Sequence, residues 1–244
     1  MNYSTVWQKA CTQITQVIPR HCLFCLEKTH NHLELCNPCI AALSLNKDCC
    51  HRCASPLETS LKQSISLCGN CLSHNYYYDR VYSPLLYAEE MRYLIKKLKY
   101  QKKIHYASLL SQLFIQKSHH LKNFYLPQAI LPVPMHTKRL RQRGFNQALE
   151  LGRFFASHYQ LPLNYSHLIR IRHTNLQAGM NAKERQKNVQ QAFSLKHALP
   201  YEHVALIDDV MTTGSTVNEA AKVLKQNGVK QVDVWIIARA GLKI

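Results

Sequence analysis

The stretch HVALIDDVMTTGSTVN, His203 to Asn218, decides the fold of this chain. Val204, Ala205, Leu206 and Ile207 make a short apolar run suited to a strand buried on both faces of a parallel sheet. Asp208 and Asp209 stand where that strand is expected to end, and Thr212, Thr213, Gly214, Ser215 and Thr216 follow as hydroxyls around one glycine. Val217, Ala220, Ala221 and Leu224 then recur at helical spacing, with Gly228 placed to cap the helix. A helix start presents unpaired N–H groups and partial positive charge, the hydroxyls add donors, and glycine lets backbone approach a phosphate closely. The segment reads as an anion cradle with a carboxylate pair at its edge. A Walker B strand would also end in acids, but none of the seven glycines begins G-x-x-x-x-G-K-[ST]. An ordinary well-capped strand–loop–helix is the plainer alternative. Against it, acids, hydroxyls and glycine coincide at one strand end, where α/β sheets bind ligands.

A second segment of the same design precedes it. In AILPVPMHTKRLRQRGFNQ, residues 129–147, Ile130 to Val133 read as a strand whose exit Pro132 and Pro134 fix. Lys138, Arg139, Arg141 and Arg143 form a basic loop, Gly144 permits a turn, and a helix is expected to begin within Phe145–Leu151. Two anion loops at two strand ends imply a shared crevice in an α/β domain, with a parallel sheet flanked by helices.

The cysteines set the first third apart. Nine of ten lie between Cys22 and Cys71, and eight form C-x-x-C pairs: Cys22/Cys25, Cys36/Cys39, Cys50/Cys53 and Cys68/Cys71. Each pair offers half of a tetrahedral zinc site, so four pairs support two four-cysteine zinc sites. Sequential pairing gives two successive zinc ribbons, and interleaved pairing remains open. Four thiolates close the coordination shell, so structural Zn2+ is expected, acting as a folding device for a module short of large apolar residues. The N-terminus carries no secretion-signal pattern, which favours a reducing cytoplasmic setting over disulfides. Cys49 and Cys11 are left over, Cys49 able to stand in for Cys50.

Trp7, Cys11, Ile14 and Ile18 predict an amphipathic helix over residues 1–19, too short and polar for membrane insertion. Domain bounds follow: that helix, a zinc module over 20–78, and an α/β domain over 79–244. The chain carries 31 Lys and Arg against 14 Asp and Glu, and residues 91–149 contain no acid. That favours a polyanionic partner, with single-stranded nucleic acid one candidate and Tyr93, Tyr100 and Tyr106 available for stacking. The plainer reading of Lys96, Lys97 and Lys99 is a solvated face above the apolar stripe Leu94, Ile95 and Leu98.

Residues 207–216, IDDVMTTGST, resemble the phosphoribosyl pyrophosphate (PRPP) motif of type I phosphoribosyltransferases. The whole chain resembles the ComF family of competence-associated proteins. The four C-x-x-C pairs, PVP at 132–134, RGFNQ at 143–147 and the pattern of Arg172, Thr174, Gln177, Arg185, Asn188 and Phe193 carry that second resemblance. It implies a type I phosphoribosyltransferase-like fold behind a double zinc ribbon, PRPP bound with Mg2+, transfer of a phosphoribosyl group, and a cytosolic role in uptake of transforming DNA beside DNA-uptake machinery proteins. Under it, Asp208 and Asp209 bind the ribose hydroxyls, Thr212 to Thr216 wrap the 5′-phosphate, and Arg143 offsets charge on the departing pyrophosphate. Pro134, Lys138, Arg172 and Arg185 join the PRPP site, with residues 172–192, Lys187 among them, as a closing lid. A protein that handles single-stranded DNA and binds nucleotide at this site without turnover is the alternative. No base-recognising hood follows the last expected strand, Val232 to Ala238, so any hood must come from residues 81–126 or the zinc module.

Overall fold

The computed structural model describes residues 20–29, 33–57, 66–101, 103–121, 124–172 and 189–241. The opening helix expected around Trp7, Cys11, Ile14 and Ile18 lies outside them, as do Thr174, Gln177, Arg185, Lys187 and Asn188. The chain divides into two compact units, one ending at Leu43 and the other beginning at Ser44.

The first unit holds the short antiparallel pair β1 (Arg20–His21) and β2 (Lys28–Thr29) and helix α1 (Asn37–Ala41). The second begins with another cysteine turn and helix α2 (Gly69–Ser73), then enters the α/β domain. Its elements are β3 (Arg80–Tyr82), β4 (Leu85–Leu86), α3 (Glu89–Tyr100), α4 (His105–Lys117), β5 (Ala129–Pro132), α5 (Thr137–Arg143), α6 (Gln147–Tyr159), β6 (Leu168–Arg170), β7 (Phe193–Leu195), β8 (His203–Met211), α7 (Ser215–Gln226) and β9 (Gln231–Arg239).

The main sheet runs β3–β9–β8–β5, all parallel, with β4 continuing along β9. β6 and β7 form a separate antiparallel pair. The expected parallel sheet flanked by helices is therefore present. One helical layer comes from α7, whose Val217, Ala220, Ala221 and Leu224 join Val204, Leu206, Val232, Val234 and Ile236 in a common core. On the other face Trp235, fully buried, meets Phe114 of α4 and Phe155 and Tyr159 of α6, with ring centroids 5.4–6.0 Å away. Alternation along β9 sends Val234 and Ile236 one way and Trp235 the other, as a strand covered on both faces requires.

Two local readings change. β8 does not stop before the acids: it stays paired with β9 through Asp208↔Ile236, Val210↔Ala238 and Met211↔Arg239. The carboxylates thus sit on rigid sheet, and the loop begins only at Thr212. The basic stretch after Pro134 is not a loop throughout but contains α5, capped by the His136 ring at its start and by left-handed Gly144 (φ 89°) at its end.

Candidate functional site

Asp208 and Asp209 point into one crevice at the carboxyl end of β8. The Asp209 N–H donates to Asp208 Oδ1 at 2.9 Å, and the Val210 N–H donates to Asp209 Oδ1 at 2.9 Å. These bonds use the backbone to aim the pair. Asp209 is buried and its Oδ2 lies 2.6 Å from Lys99 Nζ at the end of α3. Asp208 is half-buried; burial, then the charge of Asp209, pushes its carboxyl up to about 7 against the opposing pull of Lys99. Burial would lower the Lys99 ammonium, but the charge and hydrogen bond of Asp209 outweigh it and leave the group raised.

The loop follows at once. Thr213 Oγ1 and Ser215 Oγ are 2.9 Å apart, and the Ser215 N–H reaches Thr213 Oγ1 at 3.4 Å. Gly214 takes φ +78° as the N-cap of the twelve-residue α7, and a Cβ there would meet Met211 Cε at 2.5 Å. Gly228 adopts φ +94° just past the C-cap Asn227, and the Val229 N–H bonds back to Leu224 O at 3.2 Å.

A cavity of about 170 Å³ gathers these groups. Both acids and all of Thr212–Thr216 line it, with Pro134, and three cations from three elements face them: Lys99, Arg139 and Arg170. Burial, and then Arg139, lowers the Arg170 guanidinium against the attraction of Asp208. Arg143 is buried behind this wall rather than on it, donating to Gln147 Oε1 at 2.6 Å with its guanidinium 5.7 Å from the Tyr100 ring centroid. Lys138 is exposed on α5, and Arg172, also exposed, donates to the Gln190 carbonyl at 2.7 Å; neither lines the cavity. Of the expected stacking tyrosines, Tyr93 and Tyr100 are exposed whereas Tyr106 is buried.

Sequence reasoning passed over two residues. Lys99 looks like one lysine of a solvated face, yet it stands four residues after buried Ile95, at the inner edge of the α3 stripe. That spacing was the available signal. Arg239, at the end of β9, is buried and spends its guanidinium on backbone: Nε donates to Cys53 O at 2.9 Å, and Nη1 to Met211 O at 2.9 Å, to Ala240 O at 2.7 Å and to Thr212 O. It fastens the start of the hydroxyl loop to the second cysteine turn. No pattern within the sequence marks that link.

Two four-sulfur clusters are formed, Cys22/Cys25/Cys36/Cys39 and Cys50/Cys53/Cys68/Cys71, with each set of Sγ atoms within 4.8 Å of one another. The pairing is sequential. Cys25 and Cys36 Sγ lie 3.5 Å apart and Cys53 and Cys68 Sγ 3.6 Å apart, close to the roughly 3.8 Å edge of a tetrahedron with Zn–S arms of 2.3 Å. The two are built alike. In each, the residue after the first C-x-x-C takes positive φ (Leu26 65°, Ala54 52°) and returns its N–H to the first cysteine's carbonyl at 3.0 and 2.9 Å. In each, the second pair straddles a short helix start, with Cys36 and Cys68 as N-caps. Both donor sets fit structural Zn2+. Cys50, not Cys49, belongs to the four-sulfur cluster; the Cys49 thiol stands outside it, and burial pushes it up to about 11.

The family described as the double zinc ribbon domain matches residues 14–72. Competence protein F of Haemophilus influenzae is 36% identical over 230 residues, 90% of this chain and 96% of that protein. DNA utilization protein YhgH of Escherichia coli K12 is 31% identical over 226 residues, 91% and 98% of the two chains. Among solved structures, the glutamine PRPP amidotransferase of B. subtilis, complexed with ADP and GMP, aligns at TM-score 0.34 and 16% identity over 54% of this chain and 25% of that one.

Proposed function

Since this chain belongs to the family of competence protein F, we propose that it binds PRPP with Mg2+ in the β8–α7 crevice and transfers the phosphoribosyl group to a nitrogen nucleophile. The observation that carries the reading is the meeting, in one cavity, of a hydroxyl loop and a backbone-aimed acid pair, with Asp209 ion-paired to Lys99 and with Arg139 and Arg170 on the wall. Such a cavity matches a ligand with hydroxyls in its middle and anionic groups at both ends.

In this mechanism Asp208 and Asp209 accept hydrogen bonds from the ribose hydroxyls and fix the sugar. The loop hydroxyls and the α7 N-terminus hold the 5′-phosphate, and that remote binding orients C1 for attack. Arg139 and Arg170 offset the charge that gathers on the departing pyrophosphate, and Arg143 backs them from the buried side. The hard carboxylate oxygens of Asp208 and Asp209 would suit Mg2+ arriving with PRPP, and the ion would supply further neutralisation of phosphate charge. The two clusters hold Zn2+ for structure.

The test is release of pyrophosphate from PRPP in the presence of each nucleobase in turn, comparing wild type with Asp208→Asn/Asp209→Asn. The reading expects release with at least one acceptor and none from the variant. Equal release by both proteins would remove the acid pair from the mechanism.

A second reading, binding of single-stranded DNA without turnover, is favoured by exposed Tyr93 and Tyr100, each with a cation near its ring (Lys97 at 5.0 Å, Arg143 at 5.7 Å). Its mark is affinity for an oligothymidylate that falls steeply as salt rises.

A further inference from the structure

A larger cleft of about 720 Å³ lies beside the acid cavity and contains neither its acids nor Lys99, Arg139 or Arg170. It opens between the second cysteine turn and α7. Its lining includes Asn70, Tyr76, Tyr77, Gln190, Asn218 and Lys222. Thr213 and Ser215 border both cavities, whereas Asp208 and Asp209 border only the smaller one. The cleft therefore adjoins the hydroxyl side of the cradle, with the loop between it and the carboxylates.

Its walls are tied in place. The Tyr77 N–H donates to Asn218 Oδ1 at 2.8 Å, and the Gln191 N–H donates to Glu219 Oε1 at 2.7 Å. The second bond engages one oxygen of Glu219, the one carboxylate of the lining among the described residues, and Lys222 Nζ lies 5.8 Å from the Tyr77 ring centroid. Tyr77 is 43% exposed although its backbone is fixed. A partly exposed aromatic ring, side-chain amides offering both donors and acceptors, and the Lys222 ammonium, with Arg239 spent on backbone carbonyls, make up chemistry that reads a base and its phosphate. The volume falls in the range of small-ligand sites and accommodates a nucleoside monophosphate.

We propose that this cleft binds a nucleotide, its base stacked on Tyr77 and its phosphate directed to Lys222 and the hydroxyls of Thr213 and Ser215. The inference rests on the phosphate-loop reading of those two hydroxyls, but its base subsite is independent of the acid pair. It assigns the second cysteine turn a share in ligand recognition, through Asn70, Tyr76 and Tyr77.

The test titrates the zinc-loaded full chain with the four deoxynucleoside 5′-monophosphates, with an eight-residue oligothymidylate, and with PRPP and Mg2+. Tyr77→Ala weakens the mononucleotide or the strand at least about fivefold, as lost stacking on one base requires. Tyr77→Phe retains the binding, and neither change alters PRPP affinity. Lys222→Ala also weakens nucleotide binding, so the proposal stays testable if Tyr77→Ala does not fold. Asp208→Asn/Asp209→Asn loses PRPP and keeps the nucleotide; PRPP binding unchanged in that variant would fault the PRPP reading alone. Tyr77-dependent binding of the mononucleotide identifies free nucleotide as the ligand, and Tyr77-dependent binding of the strand alone identifies single-stranded DNA. Nucleotide affinity untouched by both Tyr77→Ala and Lys222→Ala, or no binding of either probe by wild type, overturns the cleft assignment.

Discussion

Two carboxylates held side by side by the backbone N–H groups of Asp209 and Val210 carry a cost that pH exposes. The carboxyl of Asp208 ionises near 3.8 in an unfolded chain and is pushed up to about 7 here, first by burial and then by Asp209. Between those values the folded state keeps a proton that the unfolded state releases, so stability falls as pH rises towards 7 and is flat above. Asp208→Asn removes that dependence. We expect the variant to exceed wild type by about 1–2 kcal/mol at pH 8, discounted for partial exposure, with the gap closing near pH 4. Denaturant melts at the two pH values check this, and a gap of equal size at both would contradict the assignment. The acid pair was legible in the sequence because adjacent acids after an apolar run admit few other purposes. Lys99 was less so: its partner is 110 positions away along the chain, and only its place on the inner edge of α3 hinted at burial.

At the scale of elements, the apolar spacing disclosed the strands and the helix around the acid pair, but helix α4 was not read from it. β8, β9 and α7 stand close to where their hydrophobic spacing puts them. It did not disclose where β8 ends, because pairing with β9, rather than local composition, carries the strand through both acids to Met211. Nor did it disclose α5, whose charged residues mask a short helix fixed by His136 and Gly144. The link of widest consequence, Arg239, reads as an unremarkable strand end. Its hydrogen bonds to the carbonyls of Met211, Thr212 and Cys53 make the hydroxyl loop depend on the second cysteine turn. Arg239→Lys cannot reproduce that fork. We expect it to lower PRPP affinity about tenfold, the loss of one or two buried hydrogen bonds, with zinc content unchanged by elemental analysis. Unchanged affinity would show that the loop holds its shape without the arginine.

Across the whole molecule, the two cysteine clusters share one design but belong to different compact units. The second sits in the unit that contains the sheet: its turn bonds to β3 through the Val81 N–H and Arg52 O at 2.8 Å, and to Arg239 through Cys53 O. Metal bound there would support the acid crevice as well as its own turn. Cys68→Ser/Cys71→Ser is therefore expected to abolish PRPP binding, and Cys36→Ser/Cys39→Ser to leave it within about twofold, as for separate sites. Equal losses in calorimetric titrations would contradict this division of labour. Among the described residues no helix is long and apolar enough to cross a membrane. The excess of basic charge left open which polyanion is met, because net charge sets attraction without specifying a ligand. The facing of Lys99, Arg139 and Arg170 onto the acid cavity gives part of that charge a defined place.

The most direct test of the central claim is calorimetric titration of PRPP with Mg2+ into the zinc-loaded protein, wild type beside Asp208→Asn/Asp209→Asn. The account predicts one site per chain in wild type and loss of binding in a variant that melts cooperatively and retains its zinc. Folded wild type that takes up no PRPP, or a double variant that binds it undiminished, would contradict it.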